Sequence, residues 1–237
     1  MHALRPEGVL TLPSTDTVLT GTFRVVFSGG DIRYEEDADA FSAQRNEPYT
    51  VHDIRILANK RYVSRFDSHG DVHAIGEVQP PERNAVVRER NIVPLALFFG
   101  ILDPQYGQFA VDHVQVEPNS IVIDGHRCRV LRRSLRPGLA AELCVDAERD
   151  YIPLRYTFYE EGYVATQWSI TKVSSLTAGL LAPSQWTMLR FRGDGRLISR
   201  LRAIAIKCEV PTEVPRSEFE LEFLPGIRVF DNLSHRQ

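Results

Sequence analysis

Lysine is almost missing from this chain. Lys60, Lys172 and Lys207 are the only lysines among 28 basic side chains, and the rest are arginine. Two origins fit that bias: a GC-rich genome, or selective use of guanidinium for pairing with carboxylate or phosphate. Positive charge is not in excess either. The formal net charge is -3, which argues against nucleic acid as a partner drawn in by the overall field.

Cysteine is scarce too. Cys128, Cys144 and Cys208 show no CxxC or Cys/His ligand spacing, so no metal site is expected. Cys128 and Cys144 flank the turn-like Arg136-Pro137-Gly138 and could face each other across a hairpin. A disulfide and two buried free thiols fit those positions equally well. His69-Gly-Asp-Val-His73 places two imidazoles and a carboxylate within one turn, but no further ligands follow, and a solvated turn accounts for it.

No run of about 18 apolar residues occurs, so no transmembrane segment is expected. The N-terminal MHALRPEGVLTLPST lacks the basic start and apolar core of a signal peptide. The protein is therefore expected either to be cytosolic or to have been trimmed of such a segment. GxSxG, HExxH, P-loop and GxGxxG are all missing, and the neighbouring Glu160 and Glu161 sit in a turn, poorly placed for paired-carboxylate chemistry. The expectation is a protein with no catalytic residues, no cofactor and no enzymatic activity.

What is present is a period of two. With 43% hydrophobic and 25% charged residues, the composition is that of a folded globular chain. No linker or internal repeat divides it, so residues 1–237 are read as one domain. GTFRVVFS alternates and stops at Gly29-Gly30, and the acidic DIRYEEDADAFSAQRNEP reads as a long loop. VHDIRILANKRYVSRFDSHGDVHAIGEV gives a three-strand meander. Hairpins follow in IVIDGHRCRVLRR with AAELCVD, in IPLRYTFYEEGYVATQWSITKV, and in SQWTMLRFRGDGRLISRLRAIAIKC. SEFELEF sends Phe219, Leu221 and Phe223 to one face and Glu218, Glu220 and Glu222 to the other, and reads as the last strand before Pro225-Gly226 and a short return. The total is roughly ten to twelve strands joined by tight turns, a mainly antiparallel β fold.

Only one segment reads as a helix, NIVPLALFFGILDP, and from Ile92 to Leu102 it carries no charge on any side. Such a helix has to be covered by protein or by an apolar ligand. A buried strand or core helix is the plain alternative. With many apolar strand faces and few helices to cover them, two architectures remain open: a filled sandwich or barrel, or a sheet curled around the helix with an apolar cavity. The large side chains Leu95, Leu97, Phe98 and Ile101 on the helix, with Trp168, Trp186 and Met188 on strands, are the candidate ligand-lining residues. Core packing accounts for the same residues. Arg190, Arg192, Arg200 and Arg202, around the Gly193-Asp194-Gly195 turn, could meet an anionic headgroup or simply solvent.

The order of motifs in the second half, Ile123-Asp-Gly-His-Arg-Cys128-Arg-Val, then Leu143-Cys-Val-Asp146, Tyr151-Ile-Pro153-Leu-Arg, Pro183-Ser-Gln-Trp186 and Phe219-Glu-Leu-Glu-Phe-Leu-Pro225-Gly226-Ile-Arg-Val229-Phe-Asp231, resembles the LolA/LolB-like lipoprotein-localisation superfamily. It is similar in particular to the divergent outer-membrane lipoprotein-sorting-like proteins of planctomycete type. The match covers about residues 121–231. It implies a single strongly curved antiparallel half-barrel lidded by one or a few helices, with Ile92–Leu102 as lid. It further implies a periplasmic location, a lipid or acylated lipoprotein as ligand, and a membrane-bound protein as a further partner. No functional residue of the family is transferred.

Overall fold

The computed structural model describes residues 5–13, 17–28, 31–42, 47–58, 63–69, 72–80, 93–99, 114–176, 180–211, 213–223 and 225–233. The fold is mainly β, as expected. Among the described residues there are fifteen strands, more than the ten to twelve read from the sequence, and one short α-helix. The chain divides into two compact units.

Unit 1 comprises Met1–Glu89, Ser175–Leu180 and Ala203–Gln237. Its strands are β1 (Arg5–Pro13), β2 (Thr17–Ser28), β3 (Asp31–Ser42), β4 (Glu47–Ala58), β5 (Val63–His69) and β6 (Val72–Gln79), each antiparallel to the next. The acidic segment read as a loop is β3, paired on both sides. Its carboxylates are compatible with a strand because Glu35 stands directly opposite Arg24 and shares a face with Arg33, so opposite charges meet across and along the ladder. On the other face Phe23, Val25, Tyr34 and Ile56 are buried, and the Tyr34 hydroxyl donates to the Glu36 carboxylate among them.

The Glu/Phe segment is not a strand. Arg216–Phe219 is a single 3-10 turn, Glu220 is extended, and residues 220–223 join no ladder. Alternation fixes which side chains point together, but a strand also needs a neighbour running alongside. Here the segment runs across the sheet. Arg33 stands in for ladder donors, its Nη1 donating to the carbonyls of Glu218 (3.0 Å) and Glu220 (3.5 Å). Phe219, Leu221 and Phe223 are half-buried and Glu220 and Glu222 exposed, as read, but Glu218 is not on the wet face: the 3-10 turn breaks the alternation there, and its half-buried carboxylate meets Arg24 on the sheet. After the turn at Pro225-Gly226, β15 (Arg228–Asp231) pairs parallel to β6, a departure from the antiparallel pattern.

Unit 2 comprises Arg90–Ser174 and Leu181–Arg202. It contains helix α1 (Val93–Phe98) and strands β7 (Gln115–Val116), β8 (Ile121–Ile123), β9 (His126–Arg136), β10 (Leu139–Asp146), β11 (Pro153–Glu160), β12 (Tyr163–Ser175) and β13 (Leu181–Phe191), with β14 (Leu197–Glu209) as far as Arg202. The order is β14-β13-β12-β11-β10-β9-β7, and β8 also pairs with β9. The turns follow from their residues. Asp124-Gly125 (φ 50 and 83) and Glu161-Gly162 (φ 51 and 82) are two-residue links with positive φ at both positions, the geometry matched to strand twist.

Candidate apolar site beneath the short helix

A six-residue helix has too few internal bonds to persist alone, so α1 exists because of what it packs against. Pro94 lies in its first turn, where a missing N–H costs little, and the Phe99 amide donates to the Leu95 carbonyl at 3.0 Å. The helix carries no acidic or basic residue at either end. It packs on β13 and β11, with Val93, Pro94, Leu95 and Ala96 buried in succession and therefore covered around its circumference. Leu97, Phe98 and Phe99 are half-buried, and the last two rings meet edge to face at 5.3 Å.

Phe98 reaches the apolar cluster of Cys128, Val130, Cys144, Ile152 and Leu154. On β11 and β12, Tyr156 and Trp168 are register partners with stacked rings 5.1 Å apart. Burial pushes the Tyr156 hydroxyl well above its ordinary range. Of the seven candidate ligand-lining residues, Leu95, Trp168, Trp186 and Met188 are buried and Leu97 and Phe98 half-buried, while Ile101 lies outside the described residues. Leu95 and Trp186 expose 0% of their surface, so neither borders a void large enough for water. Met188 and Trp186 belong to β13, one of the two strands beneath α1.

Polar contacts frame this region. Asp146, 0% exposed at the end of β10, accepts from Arg149 Nε (2.6 Å) and from the Glu148 amide (2.9 Å), and lies 3.2 Å from His126 Nδ1. Burial works against its ionisation, but Arg149, that amide and His126 outweigh burial and hold the carboxyl below its ordinary value. Fixing Arg149 also fixes the next turn, where Asp150 and Tyr151 both adopt positive φ and the Ile152 amide returns to the Arg149 carbonyl. Asp146 stands at a strand end and Pro153 at the start of the next strand, as the sequence suggests; the ionic lock between them has no signature in the residue spacing.

Cys128 and Cys144 are buried free thiols on adjacent strands. Burial pushes the Cys144 thiol up to about 11, despite Arg155 Nη2 at 3.5 Å, so it is protonated and inert at neutral pH. Glu142, on the same face, lies 3.6 Å from Arg155 and accepts from Tyr159 at 3.4 Å. The side chains of His69 and His73 lie outside the described residues; among those described, no group of His, Cys, Asp and Glu could hold a metal ion. Nor is any described helix long and apolar enough to cross a membrane.

No protein-family model matches the chain, and no curated protein matches it. Solved structures do. The fold is similar to that of a domain from Vibrio parahaemolyticus described, provisionally, as an outer membrane lipoprotein-sorting protein domain (TM-score 0.53, 9% identity, 92% of this chain and 88% of that one). An uncharacterized conserved protein from Thermus thermophilus also aligns, at 9% identity over 97% of this chain and 90% of that one, with a TM-score of 0.40, too low to carry an argument. At such identity the first likeness concerns the fold alone. It extends well beyond residues 121–231, where the sequence resemblance lies.

Proposed function

We propose that this protein is a non-enzymatic periplasmic carrier or sensor that binds the acyl chain of a lipid or lipoprotein beneath α1 in unit 2, whose sheet forms the wall of a curved half-barrel. The observation that carries this reading is the seat of α1: an uncharged helix, closed over Leu95 but half-open at Leu97, Phe98 and Phe99, resting on strands that hold Leu154 and Trp186. The fold likeness to a lipoprotein-sorting domain supports it. Since Leu95 and Trp186 have no accessible surface, the chain enters at Leu97–Phe99 and the helix lifts to admit it. Each buried methylene contributes about 0.8 kcal/mol, so a long acyl chain can offset the cost of lifting a six-residue helix. An acylated lipoprotein and a membrane-bound acceptor are the partners of this reading.

Replacing Leu97 or Phe98 by Asp puts a charge at the mouth of the site while leaving the sheet core intact. Uptake of a fluorescent acylated peptide should fall at least tenfold, with amide protection in β10–β13 unchanged. Wild-type uptake by both variants contradicts the lid. The full burial of Leu95 and Trp186 favours a second reading, a filled core in a protein–protein interaction module, which predicts no uptake by the wild-type chain either.

A further inference from the structure

The tail of the chain lies on unit 1 in a way the acyl-binding reading does not use. Residues 216–223 cross the face of the sheet that bears Arg24 on β2, Arg33 and Glu35 on β3, Phe66 on β5 and Gly76 on β6. Four kinds of contact hold the tail, and each reads a different feature of an extended peptide. Arg24 Nη2 takes the Glu218 carboxylate at 2.8 Å while Arg24 Nη1 holds Glu35 at 3.2 Å. Arg33 reads main chain, through the carbonyls of Glu218 and Glu220. At Gly76 the missing side chain makes a socket: a Cβ there would stand 2.6 Å from the Phe223 ring. Beyond the turn, β6 accepts a parallel strand, and the Asn232 amide donates to the Val78 carbonyl at 2.8 Å.

On the same face, Val26, Ser64 and Phe66 are buried, with the Arg55 guanidinium over the Phe66 ring at 5.5 Å. Arg24 meets the Glu218 carboxylate beside its contact with Glu35, and Arg33 stands next to that pair, so the guanidinium groups favour a carboxylate at the place Glu218 takes. The tail is held unevenly: half-buried at Glu218, Phe219, Leu221 and Phe223, it is exposed at all four residues of β15. The Arg24–Glu218 pair is only part-buried, hence open to screening by salt. Carboxylate cradle, main-chain reader, ring socket and strand-accepting edge are the parts of a peptide-recognition groove.

We infer that this face of unit 1 is a docking trough for an extended segment of another protein, with a glutamate and, five residues on, an aromatic ring, and that the chain's own tail is its resident occupant. The tail is then a competitor, present at the high effective concentration of a tethered ligand, and a partner segment binds by displacing it. The charge cradle and the ring socket both discriminate, because a segment lacking either group leaves one subsite unfilled.

The test uses the full chain and a labelled peptide of residues 216–233. Wild-type protein should bind it weakly, since the trough is filled. Glu218→Arg breaks the resident's charge contact and Phe223→Ala empties its ring socket. Each should tighten peptide binding at least tenfold, with less gain in 1 M salt. A peptide itself carrying Glu218→Arg should not bind either variant. The inference is overturned if neither variant gains affinity, or if the altered peptide binds as well as the native one. Should Glu218→Arg also lose amide protection in β2–β4, Phe223→Ala decides by the same criteria, since it leaves the arginine cluster untouched. Wild-type dimers formed by exchange of tails would assign the trough to a second copy and overturn the assignment to another protein.

Discussion

The two units secure their chains with ionic arrays of opposite design. In unit 2, Asp146 gathers the Glu148 amide and Arg149 from the turn that follows it, and His126 from the start of the preceding strand β9, around a carboxylate with no exposure. In unit 1, Arg24 and Glu218 meet across 194 positions of sequence with 26% and 20% of their side-chain surfaces exposed. A buried, local array ties a turn into the fold and is costly to break. A partly exposed, long-range one contributes less to stability and lets go more readily, which suits a removable tail.

Breaking the two arrays should give unequal results. Asp146→Ala removes a buried charge with three partners and leaves the Glu148 amide without its acceptor. Because Arg149 and His126 can turn to solvent, we expect a loss of about 3 kcal/mol, read by urea unfolding. A loss under about 1 kcal/mol would erase the contrast. Glu218→Gln should cost no more than about 1 kcal/mol, and that difference should vanish in 1 M salt. Asp194→Ala, at an exposed hairpin pair where Arg196 is 80% exposed, should change stability by less than about 0.5 kcal/mol and mark the floor of the scale.

Acid sharpens the same comparison. Glu35 is disfavoured by burial, yet Arg33 and Arg24 hold it below its ordinary value of 4.5, as Arg149 holds Asp146 below 3.8. A carboxyl lowered on folding contributes its stability above the unfolded value and loses it as pH falls through the folded one. Both arrays should therefore be intact at neutral pH and fail only below the ordinary carboxylate range. Hydrogen exchange against pH should show the β2–β3 ladder losing protection around the Glu35 cluster, and the β10–β11 turn along with Asp146. Loss of either at pH 6 would contradict this assignment.

Legibility follows the same divide between local and long-range. The hairpin turns at Pro137-Gly138, Glu161-Gly162 and Gly193-Asp194-Gly195 announce themselves because they carry their backbone geometry in their residue types, whereas Asp124-Gly125 turns inside an arm that reads as one strand and divides it into β8 and β9. The carboxylates of β3 look like a loop until Arg24 is placed opposite Glu35. The Glu/Phe segment looks like a strand because period two gives orientation and says nothing of a ladder neighbour. Its partners, Arg24, Arg33 and Gly76, lie more than a hundred residues upstream, and no spacing rule connects them. At the candidate site, α1 is legible from its unbroken apolar run, but the complete closure over Leu95 and Trp186 depends on packing that no single segment encodes.

Native mass spectrometry of the gently purified chain tests the acyl-binding claim most directly. We expect added mass equal to a fatty acid or phospholipid, removed by organic extraction and regained on adding an acylated peptide. A bare chain that takes up no acylated peptide would contradict the claim and leave the filled-core interaction module in its place.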